Sequence, residues 1–246
     1  MKVAVAGGTG LLGRFVVQTL TEQGHEPVVL ARTRGADLLS GDGVREAVDG
    51  CGVVIDVSNF ASMRKRVAVE SFEAATRHLL EAGRATGVVH HVAVSIVGID
   101  RVPMGYYQGK LAQERLLADA PVPASVLRAT QFHEFAAQTL RRSPGPLAVL
   151  PRMRMQPVAA REVAQALVAL AFDVPLGRAP ELAGPQVLEL IDLAKRVLAA
   201  QGSHRTVVPL RLPGAVGRGF ANGALLPTGE GPRGTQTFDE WLRATY

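Results

Sequence analysis

Met1-Lys2-Val3-Ala4-Val5-Ala6-Gly7-Gly8-Thr9-Gly10-Leu11-Leu12-Gly13 is a short apolar run that passes directly into glycines spaced G-x-x-G-x-x-G at Gly7, Gly10 and Gly13. A helical pattern follows through Phe15, Val16, Val17 and Leu20, and Gly24 stands where a helix C-terminal cap belongs. The opening is therefore strand, glycine turn, helix.

Outward from that turn the alternation continues. Glu26 to Ala31 contains the apolar Pro27-Val28-Val29-Leu30 and reads as a second strand running into Arg32-Thr33-Arg34. A short third strand is expected at Ala36 to Leu39, a helix near Gly43 to Asp49, and a strong fourth strand at Gly52 to Val57. Then come a helix from about Met63 to Thr86, a strand Val88 to Ser95, a helix Met104 to Ala118 and a strand Ala124 to Arg128. Strands separated by helix-length segments pair in parallel through right-handed crossovers. The expected fold is α/β, a doubly wound parallel sheet of Rossmann-like type with a small C-terminal substrate lobe.

Beyond Arg128, prolines cut the chain into short pieces, with helices expected around Ala160 to Phe172, Gln186 to Gln201 and Phe238 to Thr245. No repeat or low-complexity linker interrupts it. The 246 residues are read as one domain, with residues 1–130 as a dinucleotide-binding core and 131–246 as mostly a substrate-side lobe.

Composition narrows the function classes. With 47% hydrophobic and 20% charged residues, disordered, collagen-like and disulfide-scaffold classes are excluded. The single cysteine, Cys51, is read as structural, and no basic segment leads into a signal-like apolar run, so a cytoplasmic location is expected. No window reaches the ~18 apolar residues of a membrane span, and no membrane association is expected. The net charge of +5 comes from 27 basic residues, of which only Lys2, Lys65, Lys110 and Lys195 are lysines. Short clusters such as Arg64-Lys65-Arg66 have no interleaved aromatics, so a solvated surface is preferred to a nucleic-acid groove. Excess positive charge also suits a phosphate-bearing small molecule.

The glycine turn has a specific use. Glycines let the backbone approach a pyrophosphate, and the following helix N-terminus offers free N–H groups and partial positive charge. Gly7, Thr9, Gly10, Leu11 and Leu12 are the expected cofactor-binding residues of this turn. An acid about 20 residues on would meet a free ribose 2′-hydroxyl, but Arg32 and Arg34 stand there instead. Arginine grips a 2′-phosphate, so NADP(H) is expected in preference to NAD(H). Asp37 and Leu38 are expected at the adenine edge, and Val57, Ser58 and Asn59 beside the ribose and nicotinamide.

Tyr106 and Lys110 are four apart on an expected helix and share a face. An ammonium near a phenol favours the phenolate, so Tyr106 suits proton donation to a reduced carbonyl oxygen, with Ser95 hydrogen-bonding the same oxygen. The neighbouring Tyr107 leaves open which ring faces the nicotinamide; the spacing to Lys110 favours Tyr106. Lys110 also suits binding of the nicotinamide ribose.

The glycine turn, the strand-two arginine and Ser95 followed by Tyr106-x-x-x-Lys110 resemble the short-chain dehydrogenase/reductase superfamily. Leu127-Arg128-Ala129-Thr130-Gln131-Phe132-His133-Glu134-Phe135, Glu181-Leu182-Ala183-Gly184-Pro185 and Leu212-Pro213 through Leu225-Leu226-Pro227 are similar to its atypical, NmrA-like NAD(P)-binding branch. The resemblance implies that Gln131, Phe132 and His133 line a substrate pocket, and Tyr107 is also expected to bind substrate. It also implies that some members sense the dinucleotide without turning it over. No metal site is expected: His90 and His91 are adjacent on a strand, and His133-Glu134 lacks the second histidine of a zincin motif. The leading expectation is an NADPH-dependent oxidoreductase reducing a carbonyl or other polarised double bond of a small molecule. An NADP(H) sensor and a non-redox epimerase or cyclase are the alternatives.

Overall fold

A computed structural model describes residues 1–246. In chain order the first elements are β1 (Lys2–Ala6), α1 (Leu11–Glu22), β2 (Glu26–Leu30), α2 (Val44–Val48), β3 (Val53–Asp56) and α3 (Lys65–Thr86). They are followed by β4 (His90–Ile96), α4 (Gly105–Ala118), β5 (Ala124–Ala129), α5 (Phe135–Arg142), β6 (Leu147–Pro151), β7 (Arg154–Met155) and α6 (Ala160–Ala171). The last are β8 (Gly177–Arg178), β9 (Leu188–Glu189), α7 (Leu190–Ala200), β10 (Thr206–Leu210), α8 (Gly214–Ala221) and α9 (Phe238–Thr245).

The chain divides into two compact units, one of residues 1–95, 104–128 and 160–179, the other of residues 96–103, 129–159 and 180–246. Residues 160–179, read from sequence as part of the C-terminal lobe, thus belong to the first unit. That unit holds a six-stranded sheet in the order β2-β1-β3-β4-β5-β8. β1 pairs in parallel with both β2 and β3, so the strand order reverses about β1 and opens a crevice at the carboxyl ends of β1 and β3. Pro27, opposite Val3, is tolerated because β2 is an edge strand. Both faces of the sheet are buried, which makes it doubly wound: Val3, Val5, Val53 and Ile55 alternate with Ala4, Ala6 and Val54. The second set shares a core with Leu79 and Val88, α2 and the half-buried Phe60.

Helix α3 forms because Ala68, Phe72, Ala75, Leu79 and Ala82 recur at spacings of four and three and give one apolar stripe, ended by Gly87. Phe72 is fully buried, and its truncation to Ala would cost about 3–5 kcal/mol. α4 packs against α3 so closely that a Cβ on Gly109 would come within 2.6 Å of the Phe72 ring and 2.8 Å of the Ala68 carbonyl. This brings the tyrosines and lysine of α4 alongside Phe72.

One expected strand is absent. Ala36 to Leu39 folds as a turn: Asp37 Oδ1 accepts from the Leu39 N–H at 2.8 Å, and the Asp37 carbonyl accepts from the Gly41 N–H. The polar, glycine-rich Ser40-Gly41-Asp42-Gly43 that follows favours local side-chain and turn bonds over a ladder. Val53–Asp56 is consequently the third strand rather than the fourth.

The second unit carries two small sheets, parallel β10-β6 and antiparallel β7-β9, with α5, α7, α8 and α9. Helix α9 begins at Thr237, whose hydroxyl caps the Glu240 N–H while the Glu240 carboxylate accepts from the Thr237 N–H. No helix of the chain is long and apolar enough to cross a membrane.

Candidate functional site

β1 leaves the sheet through Gly7, whose φ of +78° is the left-handed conformation that favours glycine. A Cβ there would also lie 2.8 Å from the Val57 carbonyl and 2.9 Å from Ser58, so the turn rests on the exit of β3. The Gly10 N–H donates to the Gly7 carbonyl at 2.9 Å, and Gly10 caps α1 without a side-chain bond. Arg14 N–H bonds back to Gly10, leaving the N–H groups of Leu11, Leu12 and Gly13 outside the helical ladder. With Thr9 and Gly10 exposed and no acidic residue in the first turn, this is a site built to take an anion. It fits a dinucleotide pyrophosphate. Leu12, by contrast, is buried.

Beyond β2, Arg32 and Arg34 form a single 3-10 turn; both side chains are exposed and neither is in an ion pair. Their guanidinium groups are free to take a phosphate. The adenine-edge pair is divided: Asp37 is half-buried and its carboxylate is used in the local turn, while Leu38 packs into the core and its carbonyl accepts from His78 Nδ1 at 2.9 Å.

At the exit of β3, Val57 and Ser58 are buried and Asn59 is exposed. The Ser58 hydroxyl is buried without a hydrogen-bond partner, a second sign of a polar ligand at this edge. The Tyr106 hydroxyl, from the first turn of α4, donates to Asn59 Oδ1 at 2.9 Å. Tyr106 is half-buried, with its ring edge-on to Phe72 at 5.9 Å. Tyr107 is buried, and burial holds its phenol well above the usual range, so its proton stays in place.

Lys110 is 3% exposed. Its Nζ donates to the Val94 carbonyl at 3.0 Å and to Gln113 Oε1 at 2.9 Å, and lies 4.7 Å from the Phe72 ring centre. Burial lowers it to about 8, against the opposing pull of Asp56 and Glu114. Gln113 Nε2 donates to Asp56 Oδ2 at 2.8 Å, and Asp56 Oδ1 accepts from the Ser58 N–H at 2.9 Å. Asp56 and Gln113 escaped the sequence reading, although an acid inside the apolar run Val53-Val54-Ile55-Asp56-Val57 was a signal.

Ser95 is drawn into a different cluster. Its hydroxyl donates to Glu114 Oε1 at 2.5 Å, and that carboxylate is clamped by Arg128 through Nε at 2.8 Å and a terminal nitrogen at 2.7 Å. Arg178 approaches the same carboxylate at 3.6 Å.

Gln131, Phe132 and His133 lie in the second unit. The Gln131 amide is buried with neither end hydrogen-bonded, Phe132 bridges to Val158, and His133 Nε2 contacts the Gln236 carbonyl at 3.1 Å among the rings of Phe238 and Trp241. The cradle at β1 and β3 and the Tyr106–Lys110 pair are all within the first unit.

Known proteins share both sequence and fold with this chain. It is 28% identical over 160 residues to the divinyl chlorophyllide a 8-vinyl-reductase of Zea mays, covering 53% of this chain and 40% of that protein. Quinone oxidoreductase 2 of Escherichia coli is 26% identical over 142 residues, covering 54% of this chain and 49% of that one. The matches thus span less than half the length of these relatives. Among solved structures, the E. coli NADPH-dependent quinone oxidoreductase complexed with NADPH matches with a TM-score of 0.73 at 19% identity, over 98% of this chain and 99% of that one. An NAD-bound short-chain dehydrogenase/reductase superfamily protein from Agrobacterium tumefaciens matches with a TM-score of 0.71 at 19% identity, over 99% and 95%. The NAD(P)H-binding family model matches residues 7–173, more than half of the chain, which therefore belongs to that family.

Proposed function

We propose that this chain is an NADPH-dependent oxidoreductase that reduces a quinone, a carbonyl or another polarised double bond of a small molecule. The observation that carries the reading is the Tyr106 hydroxyl on Asn59, at the β3 exit that also backs the Gly7 turn. Gly7, Thr9, Gly10 and Leu11 hold the pyrophosphate, Arg32 with Arg34 the 2′-phosphate, and Val57, Ser58 and Asn59 the nicotinamide half. When bound, the cofactor supplies the two-electron reducing equivalent. Tyr106 delivers the proton to the substrate oxygen, and the Lys110 charge favours the phenolate that this leaves behind. Ser95 orients that oxygen once Glu114 releases its hydroxyl, and Tyr107 is the proposed substrate-side neighbour of Tyr106 within the same unit. The protein acts in the cytoplasm, without nucleic acid. The relatives named for a quinone and for a vinyl group support the substrate class.

The test is NADPH oxidation against a panel of quinones and carbonyls. Tyr106→Phe should lower turnover about 10²–10⁴-fold with NADPH affinity retained; unchanged turnover on an accepted substrate would remove Tyr106 from the chemistry. Arg32→Ala should weaken NADPH about tenfold or more and leave NADH unaffected. Indifference to that change would overturn the NADP(H) preference. The engagement of Ser95 by Glu114 favours a second reading, an NADP(H) sensor without turnover. It predicts tight NADPH binding and no oxidation with any member of the panel.

A further inference from the structure

We propose that Asp56 and Gln113 are positioning residues, which fix the Lys110 ammonium to the loop bearing Asn59 and so hold the lysine and Tyr106 in one hydrogen-bonded frame. The frame is continuous. Lys110 Nζ donates to Gln113 Oε1, Gln113 Nε2 to Asp56 Oδ2, and the Ser58 N–H to Asp56 Oδ1, with Asn59 next in the chain accepting from Tyr106. Asp56, Gln113 and Lys110 are 0%, 1% and 3% exposed, so these bonds are shielded from bulk solvent.

An amide is the group that fits between the two charges. It accepts from the ammonium at one end and donates to the carboxylate at the other, and its place three residues after Lys110 puts both on the same helical face. Three apolar side chains would serve stability at least as well, since buried ion pairs contribute little net. What the polar frame adds is orientation. The groups facing it are Asp56 of β3 with His91 of β4, which burial lowers to about 4 and keeps neutral, and Glu114 of α4, itself held by Arg128 of β5. The α3 side presents the Phe72 ring.

The catalytic meaning rests on the function proposed above, but the positioning is measurable without it. The chain has four lysines, so isotope labelling beside the side-chain ammonium gives four NMR signals to titrate. The Lys110 midpoint should fall by about one pH unit or more in Gln113→Met and in Asp56→Asn, and rise in Gln113→Glu, which brings a carboxylate to the ammonium. In the same proteins kcat per folded molecule should drop about tenfold or more, and the pH profile of kcat should move with the Lys110 midpoint. A Lys110 midpoint unmoved in the Gln113 variants would overturn the proposal, as would a moved midpoint with kcat and NADPH affinity unchanged. If Gln113→Met fails to fold, Gln113→Glu, of the same size, carries the test. Should the wild type oxidise no NADPH with any substrate, the functional reading fails, and NADPH affinity with the lysine titration still decides the positioning.

Discussion

Three neighbouring residues of α4, Lys110, Gln113 and Glu114, enter two buried polar clusters of unlike build. Glu114 meets Arg128 directly through two hydrogen bonds and accepts a third from Ser95, so opposite charges neutralise each other at contact. Lys110 never touches its carboxylate; an amide stands between it and Asp56, and a carbonyl and an aromatic ring complete its surroundings. The first arrangement joins α4 to β4 and β5. In the second the cation is lowered to about 8 and its charge responds to conditions near neutrality. The difference separates a carboxylate neutralised at contact by a guanidinium from an ammonium held at a distance from its counter-charge.

Removing one partner separates them most sharply. Glu114→Ala leaves Arg128, whose side chain is 4% exposed, charged and without its carboxylate, and should cost about 3–5 kcal/mol in denaturant-induced unfolding. A loss below about 1 kcal/mol, the value of an exposed pair, would erase the distinction.

A smaller effect comes from pH. Lys110 is lowered in the folded protein from an ordinary 10.5 to about 8, so between these values the unfolded chain binds the extra proton. Stability contributed by this group therefore rises with pH across that window, and the cost of holding a buried ammonium is fully present below it. The gain is of order 3 kcal/mol at most. It should appear as wild-type stability increasing relative to Lys110→Met from about pH 8 to pH 10, where other titrating groups cancel. A flat difference would place the Lys110 ammonium in a setting no different from water.

Much of the fold was legible in the chain because its signals are local. The Gly7 turn, the Ala68–Ala82 stripe of α3 and Gly24 after α1 each depend on residues within a few positions. Ala36 to Leu39 misled because its apolar residues resemble a strand, whereas Asp37 closes a turn on its own backbone and Leu38 is drawn into the core. Of the two tyrosines, helical spacing favoured Tyr106, and its hydroxyl is the one that meets Asn59 while Tyr107 is buried.

By itself the sequence determined the alternation of strands and helices through Ala129 apart from Ala36 to Leu39, the glycine turn and the arginines after β2, since backbone preference and periodicity act over short stretches. Only the tertiary structure decided the partners of the polar side chains. Gln113 finds Asp56 across 57 positions and Ser95 finds Glu114 across 19, because hydrogen bonds act over about 3 Å of space and the sheet order sets which distant residues come within it.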